Sequence, residues 1–127
     1  MKIFISKVFM DIEKIFGVNV RKIVDYVTEI KSLPWDERKM EAINRIKNAS
    51  YEGKMVECAD KVNNLETLYD LYLQQGDKIW ENFNKPKEKQ KWYYTEMYKA
   101  VMQNIEENEL TLRYKNILEK MEYNLLE

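Results

Sequence analysis

Apolar residues recur at three- and four-residue intervals along almost the whole of this 127-residue chain. That spacing gathers side chains on one face of an α-helix. Ile5, Val8, Phe9, Ile12 and Phe16 form a first stripe, and Gly17 follows where a helix can close through positive φ. Val20, Ile23, Val24, Val27 and Ile30 form a second, ended by Ser32 and Pro34. Trp35, the stem of Lys39, Ala42, Ile43 and Ile46 predict a third helix over about 35–48, with Asp36 and Glu37 in its first turn, where the helix dipole favours them. Gly53 is expected to separate it from a long fourth helix over about 54–73 that carries Cys58, Val62, Leu65, Tyr69 and Tyr72 on one face. Gly76 ends that segment. A short helix over about 77–83 precedes Asn84, Lys85 and Pro86, read as the cap and first turn of a helix with Tyr94, Met97, Tyr98, Val101 and Ile105 inward. The last helix, over about 109–124, buries Leu110, Tyr114, Ile117, Leu118 and Met121.

No stretch shows the sustained alternation of a half-buried strand, and three glycines and two prolines are too few for a loop-rich fold. The expected architecture is all-α: one domain over 1–127, a single bundle of about six to seven helices. With 45% hydrophobic and 34% charged residues the chain has the apolar content to fold. A net charge of −1, from 21 basic and 22 acidic residues, with no basic block, argues against a nucleic-acid partner. No apolar run approaches the ~20 residues that span a bilayer. Lys2 and Lys7 interrupt the mildly apolar start, which reads as a helix and not a signal. A soluble, cytoplasmic protein with no membrane partner is expected.

The single cysteine, Cys58, leaves no intrachain disulfide and no cysteine pair for zinc, and its place on the apolar stripe reads as a small buried hydrophobe. The histidine count is zero. Any site in this chain must therefore work with carboxylates, lysine, tyrosine or groups from elsewhere. The aromatic run Trp92, Tyr93, Tyr94 is expected in the core, and 85–91 reads as a solvated helix start.

One polar constellation stands out. Asp60, Asn64 and Thr67 lie at i, i+4 and i+7, so their side chains share one stripe of the long helix, opposite its apolar face, with Lys61, Glu66 and Asp70 between. By periodicity alone that stripe reads first as the wet side of an amphipathic helix.

The residues around it resemble a known family. Segment 57–68, ECADKVNNLETL, is similar to the A-D-K/R-L-x-N-x-x-x-L signature of HD-domain phosphohydrolases, notably their guanosine polyphosphate hydrolase branch. Phe16, Gly17, Val24 and Val27 to Glu29 resemble the family's FG…V…VTE helix, and Trp35 to Lys39 its W-x-x-R-K helix start. Gly76, Trp80 to Asn84, Lys87 and Gln90 to Tyr94 fit the G…W…FN…K…Q-x-W-Y-Y tail of related proteins. The agreement runs in order from about Asp11 to about Val101, the C-terminal part of an HD-domain fold.

The resemblance implies Asp60 as a ligand to a divalent metal, manganese or magnesium, and Asn64 and Thr67 as contacts to a nucleotide, with Lys61, Arg38 and Lys39 as further substrate-binding candidates. Arg38 and Lys39 either face phosphate or pair with acidic neighbours such as Glu41 and Asp36. The family's other metal ligands, a histidine and a His-Asp pair, have no counterpart in this sequence, and one carboxylate is too few for a catalytic ion. The expectation is a truncated, catalytically incomplete relative that carries no cofactor alone and no catalytic residue of its own. Three readings follow: a remnant nucleotide-binding groove, a helical interaction module that forms a homodimer, or one half of a split hydrolase completed by a chain supplying the N-terminal ligands.

Overall fold

The computed structural model describes residues 29–83 and 85–123. The two helices expected before Glu29, the family-like Phe16, Gly17, Val24 and Val27, and the cap at Asn84 lie outside the described residues. The described residues form four α-helices and one 3₁₀ segment, with no strand among them. These are α1, Trp35–Lys47; α2, Tyr51–Gln75; the 3₁₀ segment, Gly76–Asn82; α3, Lys87–Met102; and α4, Glu109–Lys120. The fold is all-helical, as the periodicity predicts.

The central helix is α2, which packs against each of the other helices and against the 3₁₀ segment, while α1 also lies on α3 and α3 on α4. Its apolar stripe is fully inward at Cys58, Val62 and Leu65. There it meets Ile43 and Ile46 of α1, Met97, Ala100 and Val101 of α3, and Tyr114, Ile117 and Leu118 of α4 in one contiguous core. Cys58 Sγ donates to the Leu110 carbonyl at 3.6 Å and burial pushes its thiol pKa up to about 12, as befits a buried hydrophobe.

Gly53 does not separate α1 from α2. It sits in the first turn of α2, and its N–H donates to the Ser50 hydroxyl at 3.1 Å. The break lies at 48–50, because Ser50 caps an orphan amide that the glycine, three residues later, merely carries. Gly76 does end α2, with φ +65° and ψ −150°, a region that glycine alone adopts freely. The chain then tightens into the 3₁₀ segment and not a short α-helix.

On α3 the innermost residues are Tyr93, Met97, Ala100 and Val101, while Tyr94 and Tyr98 are half-buried. Helix α3 ends at Met102, so Ile105 lies beyond it. Asn108 starts α4 with a reciprocal cap: its side chain accepts from Thr111 N at 2.9 Å and its own N–H donates to Thr111 Oγ1 at 2.9 Å. No described helix is long and apolar enough to cross a membrane.

Candidate functional site

The polar residues singled out on α2 do not all face the same medium. Asp60 and Asn64 are half-buried and Thr67 is exposed, whereas Lys61 is 7% exposed and turned inward. One residue is about 100° of helix, enough to carry Lys61 from the wet stripe into the contact with α3.

Lys61 Nζ lies 2.7 Å from Glu57 Oε1 and 2.8 Å from Asp60 Oδ2. Asn64 Nδ2 reaches the same Asp60 oxygen at 3.5 Å. The structure thus brings Asp60, Lys61 and Asn64 together and leaves Thr67 one turn further along the helix. Glu57, 2% exposed, is the residue that sequence reasoning passed over. Its signal was present as the i, i+4 spacing to Lys61 with the acid on the N-terminal side. Burial lifts the Glu57 carboxyl above its ordinary range, and Lys61 pulls it back only in part. Burial alone would weaken the Lys61 ammonium, but Glu57, Tyr93 and Asp60 hold its pKa well above the ordinary lysine value.

Tyr93 of α3 roofs this cluster. Its ring takes Lys61 Nζ at 5.5 Å and Lys39 Nζ of α1 at 4.4 Å from the centroid. Lys39 also donates to both oxygens of Glu29, at 2.6 and 2.7 Å, and Arg38 Nε lies 3.5 Å from the same carboxylate. Arg38 and Lys39 therefore converge on Glu29. The two acids named in the sequence as their neighbours are taken elsewhere: Glu41 lies 3.2 Å from Arg45, and Asp36 accepts from Lys89 at 2.9 and 3.0 Å. Trp35 packs at 6.4 Å against Tyr93 and at 6.5 Å against Trp92, so the aromatic run is part of the core wall. Tyr94 is half-buried, its hydroxyl pKa raised by burial to about 12, and its carbonyl accepts from the Tyr114 hydroxyl at 2.6 Å.

Together these groups make two ion-paired sets, Glu29 with Lys39 and Lys61 with Glu57 and Asp60, that meet under the Tyr93 ring at the junction of α1, α2 and α3. Asp60, at 16% side-chain exposure, and Glu29, at 25%, bring part of their carboxylates toward solvent, whereas Glu57 does not. A divalent ion asks for several oxygen donors. No group of three acidic, histidine or cysteine side chains that could hold a metal occurs among the described residues. Asp60 is already engaged by an ammonium, and Glu57 faces the same ammonium, so the described donor set does not fit a metal by itself.

Comparison with known proteins gives the chain its relatives. No family model matches the chain. Curated relatives do: it is 40% identical over 60 residues to the guanosine-3′,5′-bis(diphosphate) 3′-pyrophosphohydrolase MESH1 of Danio rerio, a match covering 47% of this chain and 33% of that protein. The Drosophila melanogaster MESH1 is 42% identical over 60 residues, covering 47% and 34%. In three dimensions the chain resembles the crystal structure of lmo0812 from Listeria monocytogenes EGD-e, with a TM-score of 0.76 and 26% identity over 89% of this chain and 75% of that one.

Over just under half of its length the chain is thus similar to guanosine-3′,5′-bis(diphosphate) 3′-pyrophosphohydrolases, which are HD-domain proteins. It spans about a third of the length of these curated relatives. Within that kinship the buried Lys61 reads as the structural partner of Asp60: it fixes the carboxylate while Glu57 neutralises the ammonium from behind.

Proposed function

We propose that this chain carries the nucleotide-facing part of an HD-type phosphohydrolase site and does not turn over nucleotide by itself. Asp60 is its remnant metal ligand, and Asn64 and Thr67 are its nucleotide contacts. The observation that supports this best is the division of labour on α2: Lys61 is buried against Glu57, whereas Asp60, Asn64 and Thr67 stay within reach of solvent along one side. An amide and a hydroxyl one and two turns beyond a carboxylate offer neutral hydrogen bonds to a sugar or phosphate. Arg38 and Lys39, held on Glu29, supply positive potential to that side more readily than a direct grip on phosphate. Turnover in this reading requires histidine and His-Asp ligands from outside these 127 residues, because residues without imidazole cannot assemble the family's metal set.

Thermal unfolding of the 127-residue chain with millimolar guanosine nucleotides, with and without Mn²⁺, tests the proposal. The melting temperature should rise, Asp60→Ala should abolish the Mn²⁺-dependent part, and the same solutions should release no phosphate or pyrophosphate. A melting temperature unmoved by every guanosine nucleotide would sink the binding site, and turnover by the chain alone would sink the incompleteness.

A further inference from the structure

Lys54 is a buried cation without a buried anion. It is 3% exposed, and its ammonium donates to the carbonyl oxygen of Gln103, in the loop between α3 and α4. Lys61 and Lys39 each have a carboxylate within 2.8 Å. Lys54 makes no ion pair with any described carboxylate, and Glu57, one turn along the helix, is taken by Lys61. A neutral carbonyl satisfies one of three N–H donors and leaves the charge itself uncompensated. Burial accordingly lowers the pKa of this amine.

The side chain lines an open cavity of about 680 Å³ between the start of α2 and the loop that leads into α4. That volume falls in the range of small-molecule sites. The walls are of mixed sign. Lys47 joins Lys54, and Asn104, Glu106 and Glu107 also line the cavity. Asn104 holds φ at 63°, the left-handed conformation that asparagine tolerates better than other side chains, and it turns the loop at this point.

We infer that this cavity binds a small molecule of the amino-acid class, its carboxylate on Lys54 and its ammonium on Glu106 and Glu107. The carboxylate supplies the counter-charge Lys54 lacks. A dianion such as phosphate meets the two glutamates and is disfavoured, and a neutral ligand leaves Lys54 as it stands. The site does not depend on the nucleotide proposal, since Lys54 precedes Lys61 by about two helical turns and shares none of its partners.

The test uses the full chain and four probes at equal low-millimolar concentration: glycine, acetate, methylamine and inorganic phosphate. Glycine should raise the melting temperature more than acetate, and methylamine and phosphate should do least. Lys54→Met should lose the glycine response without lowering the melting temperature of the ligand-free protein, because it replaces an uncompensated ammonium by an apolar side chain of like length. Should that variant fail to fold, the exposed pair Glu106→Gln/Glu107→Gln gives the second reading: the glycine response should fall to that of acetate. Asp60→Ala should keep the full response. Equal responses to glycine and acetate in the unaltered chain, a response to phosphate alone, or none at all would overturn the assignment.

Discussion

Lys61 Nζ sits 2.7 Å from Glu57 Oε1, both side chains almost wholly out of water, and shares its remaining charge with Asp60 Oδ2 at 2.8 Å. Removing one member of such a pair leaves an ion stranded in a poor dielectric, whereas removing both does not. Glu57→Gln is expected to destabilise the chain by about 3 kcal/mol, the lower end for a broken buried pair because Asp60 retains part of the ammonium's field. The double variant Glu57→Leu/Lys61→Met should recover much of that loss. Urea unfolding of the three variants and the parent measures both quantities; a double variant as unstable as Glu57→Gln would show that the pair is not what holds α2 to α3.

Alkali is expected to unfold this protein early. Burial raises the Cys58 thiol from 9.0 and the Tyr94 hydroxyl from 10.0, both to about 12, and lifts Tyr93, Tyr114 and Tyr123 as well. A group whose folded pKa exceeds its unfolded one stabilises in full below the unfolded value and loses that contribution as pH climbs through the folded value. The sign is the same for all five groups and for Lys61 and opposite for the lowered Lys39 and Lys54 amines; the five buried acids outnumber these two, so the urea midpoint should fall from about pH 9 to pH 12. Cys58→Ala should delay the onset of that fall, since its thiol is the first of the set to titrate in the unfolded chain.

The period of the apolar residues carried most of the fold: α1, the body of α2, the turn at Gly76 and the inward residues of α4 follow from spacing alone. Spacing failed where a local hydrogen bond outweighed composition. Gly53 looked like a breaker, yet Ser50 had already set the helix start. The Asn108–Thr111 cap was invisible to an apolar count because both partners are polar. At the candidate site, spacing carries the shared face of the polar residues and not the direction of each. Asp60, Asn64 and Thr67 could be placed on one stripe, but the inward turn of Lys61 depended on Tyr93 from a helix about 30 residues away, a tertiary contact that one-helix periodicity does not contain.

That cap gives a prediction of its own. Asn108→Ala deletes the acceptor for Thr111 N and should destabilise α4 by about 1 kcal/mol. Thr111→Val keeps the buried volume and the cap on Thr111 N, removing the acceptor for Asn108 N and the hydroxyl's own 3.1 Å bond to the Asn108 carbonyl, so it should cost less than Asn108→Ala in the same urea assay. Equal losses would mean that burial of Thr111, and not the cap, fixes the start of the helix.

Gly76 is open to solvent at the position a Cβ would take, with no heavy atom within 4 Å, so any penalty for Gly76→Ala must come from the backbone. At φ +65° and ψ −150° that penalty is expected to be about 1–3 kcal/mol. Gly76→D-Ala, introduced by chemical ligation, should restore the parent stability because a D-residue is at ease at positive φ. Equal stability of the L-alanine variant and the parent would show that the junction relaxes to another conformation.

The last expectation separates binding from scaffolding on α2. If Asn64 and Thr67 contact a nucleotide from the open side, Asn64→Ala and Thr67→Ala should each reduce the guanosine-nucleotide shift in melting temperature while leaving the ligand-free value within about 0.5 kcal/mol of the parent, the usual range for surface changes. Lys61→Met should behave in the opposite way. It strands Glu57 in the core and lowers the ligand-free stability first, and any loss of nucleotide response follows from the freed Asp60 carboxylate, whose hold on Asn64 is only 3.5 Å long. In Glu57→Leu/Lys61→Met, where the stranded charge is gone, the nucleotide shift should return in proportion to the recovered stability. A double variant that is stable yet silent toward nucleotide would instead make Lys61 itself a ligand contact and reverse the roles assigned along this helix.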